Sequence, residues 1–249
     1  KALDEKPDIV FIANPNSMHL PFAVRAAERG CHLFIEKPLS DGMEGVEKLR
    51  GLVKSQGLVC YVGYQNRFHP CIKMGKEYLE SGKIGKIVSV HAMIGELLTS
   101  MHKYQDYRTM IESQKKKGGG VVLCQLHELD YLFYLFGLPQ RVYSVGGKRG
   151  SWSIDVEDCV VSLFTYESGQ GTFSAVVQQD YFQYPPVRKC EIVGDSGRIE
   201  FDLLGNSFCY FDAEGKQEKT VFDQFTRNDL FISEMGSLLN SVKSGLPEF

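Results

Sequence analysis

No apolar run in the chain reaches the ~18–20 residues needed to span a bilayer, and no signal peptide opens it. No C-x-x-C pair occurs among the seven cysteines (Cys31, Cys60, Cys71, Cys124, Cys159, Cys190 and Cys209). An odd count without metal-ligand spacing argues against a disulfide framework or a zinc site. It points to reduced thiols in a reducing compartment, the cytoplasm by default. Charge of neither sign dominates: 28 Lys and Arg stand against 31 Asp and Glu. That balance argues against a nucleic acid or an anionic membrane as partner. The one basic run, Lys115-Lys116-Lys117, reads as a solvated loop, since adjacent like charges repel. There is no internal repeat and no low-complexity stretch.

What remains is ordinary globular composition, with 43% of the 249 residues hydrophobic and 24% charged. The first third alternates strand and helix. Ile9 to Ala13 is a short apolar run of the kind buried on both faces of a parallel sheet. Asn14-Pro15-Asn16-Ser17 turns into a helix with Pro21 expected in its first turn and Gly30 past its end. His32 to Glu36 is a second strand, Ser40 or Asp41 caps a second helix with Asp41-x-x-Glu44 as capping box, and Leu58 to Tyr64 is a third strand. Such a βαβαβ unit builds a parallel sheet. From about Lys86 strand-like runs separated by glycine turns predict an antiparallel sheet, at Lys86–Ile94, Arg141–Val145, Cys159–Tyr166, Gly171–Gln179, Lys189–Val193, Arg198–Leu203 and Ser207–Phe211. A final amphipathic segment covers Arg227–Lys243. The reading is an α/β domain over residues 1–85 followed by an α+β domain over residues 86–249.

Ligands of open parallel sheets bind off the carboxyl ends of the strands. Here all three ends carry polar residues: Asn14-Pro15-Asn16-x-x-His19, Glu36-Lys37-Pro38, and Gln65-Asn66-Arg67-Phe68. Pro38 biases Lys37 toward extended backbone, which fixes the direction of the lysine side chain. A fourth element is Gly118-Gly119-Gly120 followed by Cys124, His127, Asp130 and Tyr131. On a helix Cys124, His127 and either Asp130 or Tyr131 share a face, and the glycines let backbone approach a ligand closely.

This ordered set resembles the glucose–fructose oxidoreductase/inositol dehydrogenase/MocA family. Asp106-Tyr107-Arg108 and Gly194-Asp195-Ser196-Gly197 extend the resemblance over nearly the whole chain. The resemblance implies the later part of a Rossmann domain and then an α+β domain on a large open antiparallel sheet, through which copies form a homo-oligomer. It implies NAD or NADP as cofactor and a sugar, sugar derivative or nucleotide sugar as substrate. Lys37 would touch the substrate hydroxyl and the nicotinamide ribose, and His127 would be the general base or acid. Asn14, Pro15, His19, Glu36, Lys37, Pro38, Gln65, Asn66 and Arg67 would surround the nicotinamide half. Asp106, Tyr107, Arg108 and Cys124 would join Lys37 and His127 in holding the substrate.

Two departures from the family pattern stand out. The position four after Gly120, often Asp in the family, is Cys124, expected to support rather than to act as nucleophile or metal ligand. No G-x-G-x-x-G occurs, so the expectation is a chain that enters the Rossmann fold midway and by itself binds NAD(P) weakly. The proton acceptor is expected to titrate near the working pH: His127 by nature, and Lys37 through burial beside cations such as Arg67. Two rivals remain open at this stage, a non-catalytic relative that binds sugar or a partner, and an NAD-dependent glycosidase on the same fold.

Overall fold

A computed structural model describes residues 2–168 and 171–246. After Pro7 the chain runs through β1 (Ile9–Ile12), α1 (Asn16–Ala27), β2 (His32–Glu36), α2 (Val46–Gln56) and β3 (Cys60–Gly63). The three strands lie side by side in that order and are parallel, with Ile9 opposite His32 and Leu33 opposite Cys60. Ile12, Leu20, Ala23, Leu33, Ile35 and Leu49 form their core with α1 and α2. Each large side chain buried in this way contributes about 1.5–3 kcal/mol.

Two helix starts differ from the sequence expectation. Helix α1 is already wound at Asn16, with Pro15 as its N-cap residue and the Met18 N–H bonded to the Pro15 carbonyl at 2.8 Å, so Pro21 falls in the second turn. Neither Ser40 nor Asp41 caps α2, which begins at Val46 after Gly45 in the left-handed region (φ 86°). The reason is tertiary: Asp41 packs against Gly118, where an added Cβ would lie 2.9 Å from the Asp41 Cβ, and this holds the intervening residues in bends.

Beyond β3, a 3₁₀ turn (Gln65–Phe68) leads into α3 (Pro70–Glu80) and β4 (Ile87–Gly95). Then come α4 (Leu98–Met101), α5 (Val121–Cys124) and α6 (His127–Phe136). The strands β5 (Arg141–Gly147), β6 (Cys159–Ser168), β7 (Gly171–Asp180), β8 (Val187–Gly194), β9 (Gly197–Asp202), β10 (Ser207–Asp212) and β11 (Gln217–Val221) follow, and α7 (Arg227–Ser244) comes last. The eight strands of the second sheet run in the order β11-β10-β9-β8-β4-β7-β6-β5. Every neighbouring pair is antiparallel except β4 with β7, which is parallel. Strand β11, polar and at the edge, carries too little apolar alternation to be read from sequence.

One face of this sheet buries Val90, Ala92, Ala175, Val177, Ile192 and Phe201 against Ile72 of α3 and Tyr131 and Leu132 of α6. The other leaves Tyr143, Val145, Val161 and Leu163 exposed. Helix α3 therefore packs with the large sheet. Helix α7 returns to pack on the Gln65–Phe68 turn. Among the described residues no helix is long and apolar enough to cross a membrane.

Candidate active site

The carboxyl ends of β2 and β3 face the large sheet across a cleft of about 560 Å³. Lys37 reaches it from the end of β2, Gln65 and Asn66 from the turn after β3, and Cys124 and His127 from α5 and α6. Lys37 Nζ donates to the Cys124 carbonyl at 2.6 Å, across 87 residues of chain. The His127 ring, 5% exposed, stands edge-on to Tyr64 with centroids 6.3 Å apart, and its buried Nδ1 has no hydrogen-bond partner among the described residues.

The helix expected to carry Cys124, His127 and Asp130 on one face is broken. Gln125 leaves helical geometry (φ −100°, ψ 40°) and separates α5 from α6. Its side-chain amide donates to the Asp180 carbonyl at 2.9 Å, and its own carbonyl accepts from Gln179 Nε2 at 2.7 Å. Strand β7 thus pins the break, and Cys124 and His127 meet in the cleft through that kink. The triple glycine serves close approach, but to the chain itself. A Cβ at Gly119 would lie 2.2 Å from the Ile111 carbonyl oxygen, and one at Gly118 (φ 76°) 2.7 Å from Asn16 Cβ, where Asn16 Nδ2 also donates to the Gly118 carbonyl at 2.8 Å.

Other expected site residues are placed elsewhere. His19 is 1% exposed, with one ring nitrogen 2.7 Å from the Pro38 carbonyl oxygen and the other 2.8 Å from that of Asn14, so it joins the turns after β1 and β2. Pro15 caps α1, and Asn14 Oδ1 is buried without a partner among the described residues. Glu36 lies under Gly63, its carboxylate 3.4 Å from where a Cβ would be. Arg67 turns away from the cleft. Its guanidinium grips Asp130 through Nε at 2.9 Å and Nη2 at 2.6 Å, between the rings of Tyr64 and Tyr134. Asp106 and Arg108 pair with each other on the exposed surface, and Tyr107 packs on Trp152. None of the three lines the cleft.

Electrostatics reorder the expected roles. His127 does not titrate near neutrality. Burial pushes it well below the usual range, with Arg188, Lys37 and Arg227 adding to the effect. Burial also lowers Lys37, and Arg188, not the Asp130-bound Arg67, is the cation that adds to the shift. Burial raises the Cys124 thiol to about 11, which leaves it neutral. Among the described residues no group of three or more His, Cys, Asp or Glu is placed to hold a metal ion.

The opposite wall holds residues that sequence reasoning passed over. Arg188 donates from Nε and Nη2 to the fully buried Glu128 carboxylate at 2.6 and 3.0 Å. Glu96, Glu112 and Arg227 also line the cleft. The available signals were faint: an arginine at an inward position of a strand, and a glutamate inside a largely apolar helix.

Comparison with known proteins agrees with this architecture. The profile described as "Oxidoreductase family, NAD-binding Rossmann fold" matches residues 1–64, and that of the "GFO/IDH/MocA C-terminal domain" matches residues 72–200. The scyllo-inositol 2-dehydrogenase (NAD(+)) of Bacillus subtilis is 25% identical over 242 residues, covering 96% of this chain and 68% of that protein. Levoglucosan dehydrogenase of Pseudarthrobacter phenanthrenivorans is 28% identical over 258 residues, covering 89% and 64%. The chain thus spans about two thirds of the length of these relatives. A solved structure of levoglucosan dehydrogenase in complex with NADH and levoglucosan shares the fold, with a TM-score of 0.84 at 22% identity over 96% of this chain and 72% of that one. With matches spanning both of its sheets, the chain belongs to the glucose–fructose oxidoreductase/inositol dehydrogenase/MocA family of oxidoreductases.

Proposed function

We propose that the protein moves hydride between NAD or NADP and a secondary alcohol of a sugar, sugar derivative or nucleotide sugar. The observation that carries this reading is the meeting of Lys37, Gln65, Asn66 and His127 in one cleft at the carboxyl ends of parallel strands. The dehydrogenase relatives support it. Residues 1–85 form the cofactor half and residues 86–249 the substrate half. The residues present fit a nicotinamide: Asn14 Oδ1, at the end of β1, is buried with no partner among the described residues, as expected of a group that a ligand completes. When bound, the nicotinamide supplies the hydride acceptor or donor.

Lys37 and His127 divide the proton chemistry. A lysine ammonium has three N–H donors. One is spent on the Cys124 carbonyl, which leaves two for a substrate hydroxyl and the ribose. Lowered by burial, Lys37 reaches its neutral form at a pH closer to neutrality and accepts the hydroxyl proton at Nζ. In the reverse direction the ammonium returns it. His127, kept neutral, orients the hydroxyl by a hydrogen bond from its ring. Copies of the chain associate through the exposed face of the large sheet, where Tyr143, Val145, Val161 and Leu163 offer apolar surface. The unpaired cysteines fit a cytoplasmic protein.

The test is kinetic. Lys37→Ala and His127→Ala are each expected to lower kcat by about 10²-fold or more. Cofactor affinity should fall further in the lysine variant than in the histidine variant. Wild-type kcat in either variant removes that residue from the mechanism.

A further inference from the structure

The loop between α4 and α5 brings a carboxylate to the cleft. The Gly120 N–H donates to the Glu112 carbonyl at 3.1 Å, and the Tyr181 hydroxyl donates to the same oxygen at 3.4 Å. With its backbone tied from two sides, Glu112 lines the cleft with a side chain that is 19% exposed. Its Oε2 is buried with no hydrogen-bond partner among the described residues. A buried acceptor left in this way is costly unless a donor reaches it in the working state. Glu112 acts on Lys37: burial lowers that lysine, and the Glu112 charge is among those that oppose the shift.

The other oxygen leads outward. Oε1 lies 3.4 Å from Nε2 of His102, the residue that follows α4. His102 Nδ1 is 3.3 Å from the hydroxyl of Tyr104, which is 85% exposed, and the His102 side chain is itself 39% exposed. With Nδ1–H donating to Tyr104, Nε2 turns its lone pair to Glu112. At 3.4 Å the contact is longer than a settled hydrogen bond, but working contacts are often long until a ligand arrives. The rest of the cleft offers no second route. Arg188 and Arg227 give up no proton. Both ring nitrogens of His69 are engaged, by the Cys71 N–H and by Asn206. Glu96, the other carboxylate of the cleft, has no imidazole bonded to it among the described residues.

Resting on the oxidoreductase reading above, we infer that Glu112 and His102 relay the proton of the oxidised alcohol from Lys37 to solvent. Oxidation breaks the O–H and C–H bonds of the alcohol. The hydride leaves with its electron pair to the nicotinamide, and the proton goes to Lys37 Nζ. A substrate hydroxyl held at Nζ displaces the water that would otherwise take this proton, so the ammonium gives it to the Glu112 carboxylate. The resulting acid protonates His102 at Nε2, and the exposed imidazolium loses a proton to water. Lys37, Glu112 and His102 all return to their starting forms, and reduction runs the same steps backward.

The test is chemical rescue in the full chain, with myo-inositol and glucose as alcohols and NAD⁺ or NADP⁺ in excess, in dilute non-imidazole buffer. His102→Ala, at a partly exposed position, should lower kcat about tenfold with KM within about twofold of the parent's. Imidazole at rising concentration should bring kcat back toward the parent value, while sodium chloride at matched ionic strength should not. Glu112→Gln should lower kcat about tenfold or more, and Glu112→Asp should recover part of that loss. Because a relay acts in series, the double variant should be no slower than the slower single one. Calorimetric Kd values for the dinucleotides should stay within about twofold of the parent's in both single variants. Parent-like kcat in either single variant, a His102→Ala defect that imidazole does not relieve, or losses that multiply in the double variant each overturn the inference and leave the oxidoreductase reading standing. If the parent turns over neither alcohol, the oxidoreductase reading itself falls, and this inference with it.

Discussion

Helix α7 carries a carboxyl group in an unfavourable place. Glu234 is 1% exposed and neither of its oxygens has a hydrogen-bond partner among the described residues. Burial, with Glu36 and Asp130 as neighbouring carboxylates, raises its pKa from 4.5 to about 8. The native state therefore holds this proton more tightly than the unfolded chain does. Its contribution to stability is fully present below about pH 4.5 and is lost progressively until the pH passes about 8. With those two values the loss is about 2 kcal/mol between pH 5 and pH 7, and about 1 kcal/mol more by pH 9. Glu234→Gln keeps the shape and removes the titration. Urea unfolding followed by circular dichroism at pH 5, 7 and 9 should show the variant gaining on the parent protein by these amounts as the pH rises. Parallel pH dependences for the two proteins would refute the reasoning and show that Glu234 ionises in the fold at its ordinary pH.

Four further outcomes are expected. In the direction of alcohol oxidation, kcat/KM should rise with pH as Lys37 loses its proton and level off below the usual lysine value of about 10.4, as read from a pH–rate profile. Cys124→Ser should keep most activity, because it is the backbone carbonyl of Cys124 that holds Lys37; loss of activity in kinetic assay would count against that. Arg188→Met leaves the fully buried Glu128 unpaired and should cost about 3–5 kcal/mol in denaturant unfolding, a loss that adding Glu128→Gln should partly recover. The chain carries no G-x-G-x-x-G, and its proposed contacts reach only the nicotinamide end, so calorimetric titration with NAD and NADP should give a millimolar Kd. A micromolar value would show that these residues hold the cofactor by other means.

Local chemistry made much of the fold legible. Apolar runs with glycine and proline punctuation located all three parallel strands and seven of the later strands within a few residues of their observed ends. The strand-end motifs brought Lys37, Gln65 and Asn66 to one cleft because carboxyl ends of parallel strands must face the same way. Where the reading failed, a distant partner intervened. Asp41 was drawn off its cap by Gly118, Gln125 broke a helix to bond β7, and Arg67 was claimed by Asp130, 63 residues away. His127 and Lys37 line one cleft, but their proton affinities depend on burial and on Arg188, which no motif announced.

The sequence by itself determined the element order, the parallel unit followed by the largely antiparallel one, and the residues that head for the cleft, since these follow from periodicity and backbone chemistry acting over a few residues. The tertiary structure alone decided which of those residues line the cleft and which are consumed in holding the walls together. It also decided what charge each carries. Those properties arise from desolvation and from partners brought together across tens of residues, as when Lys37 meets the Cys124 carbonyl or Arg188 meets Glu128.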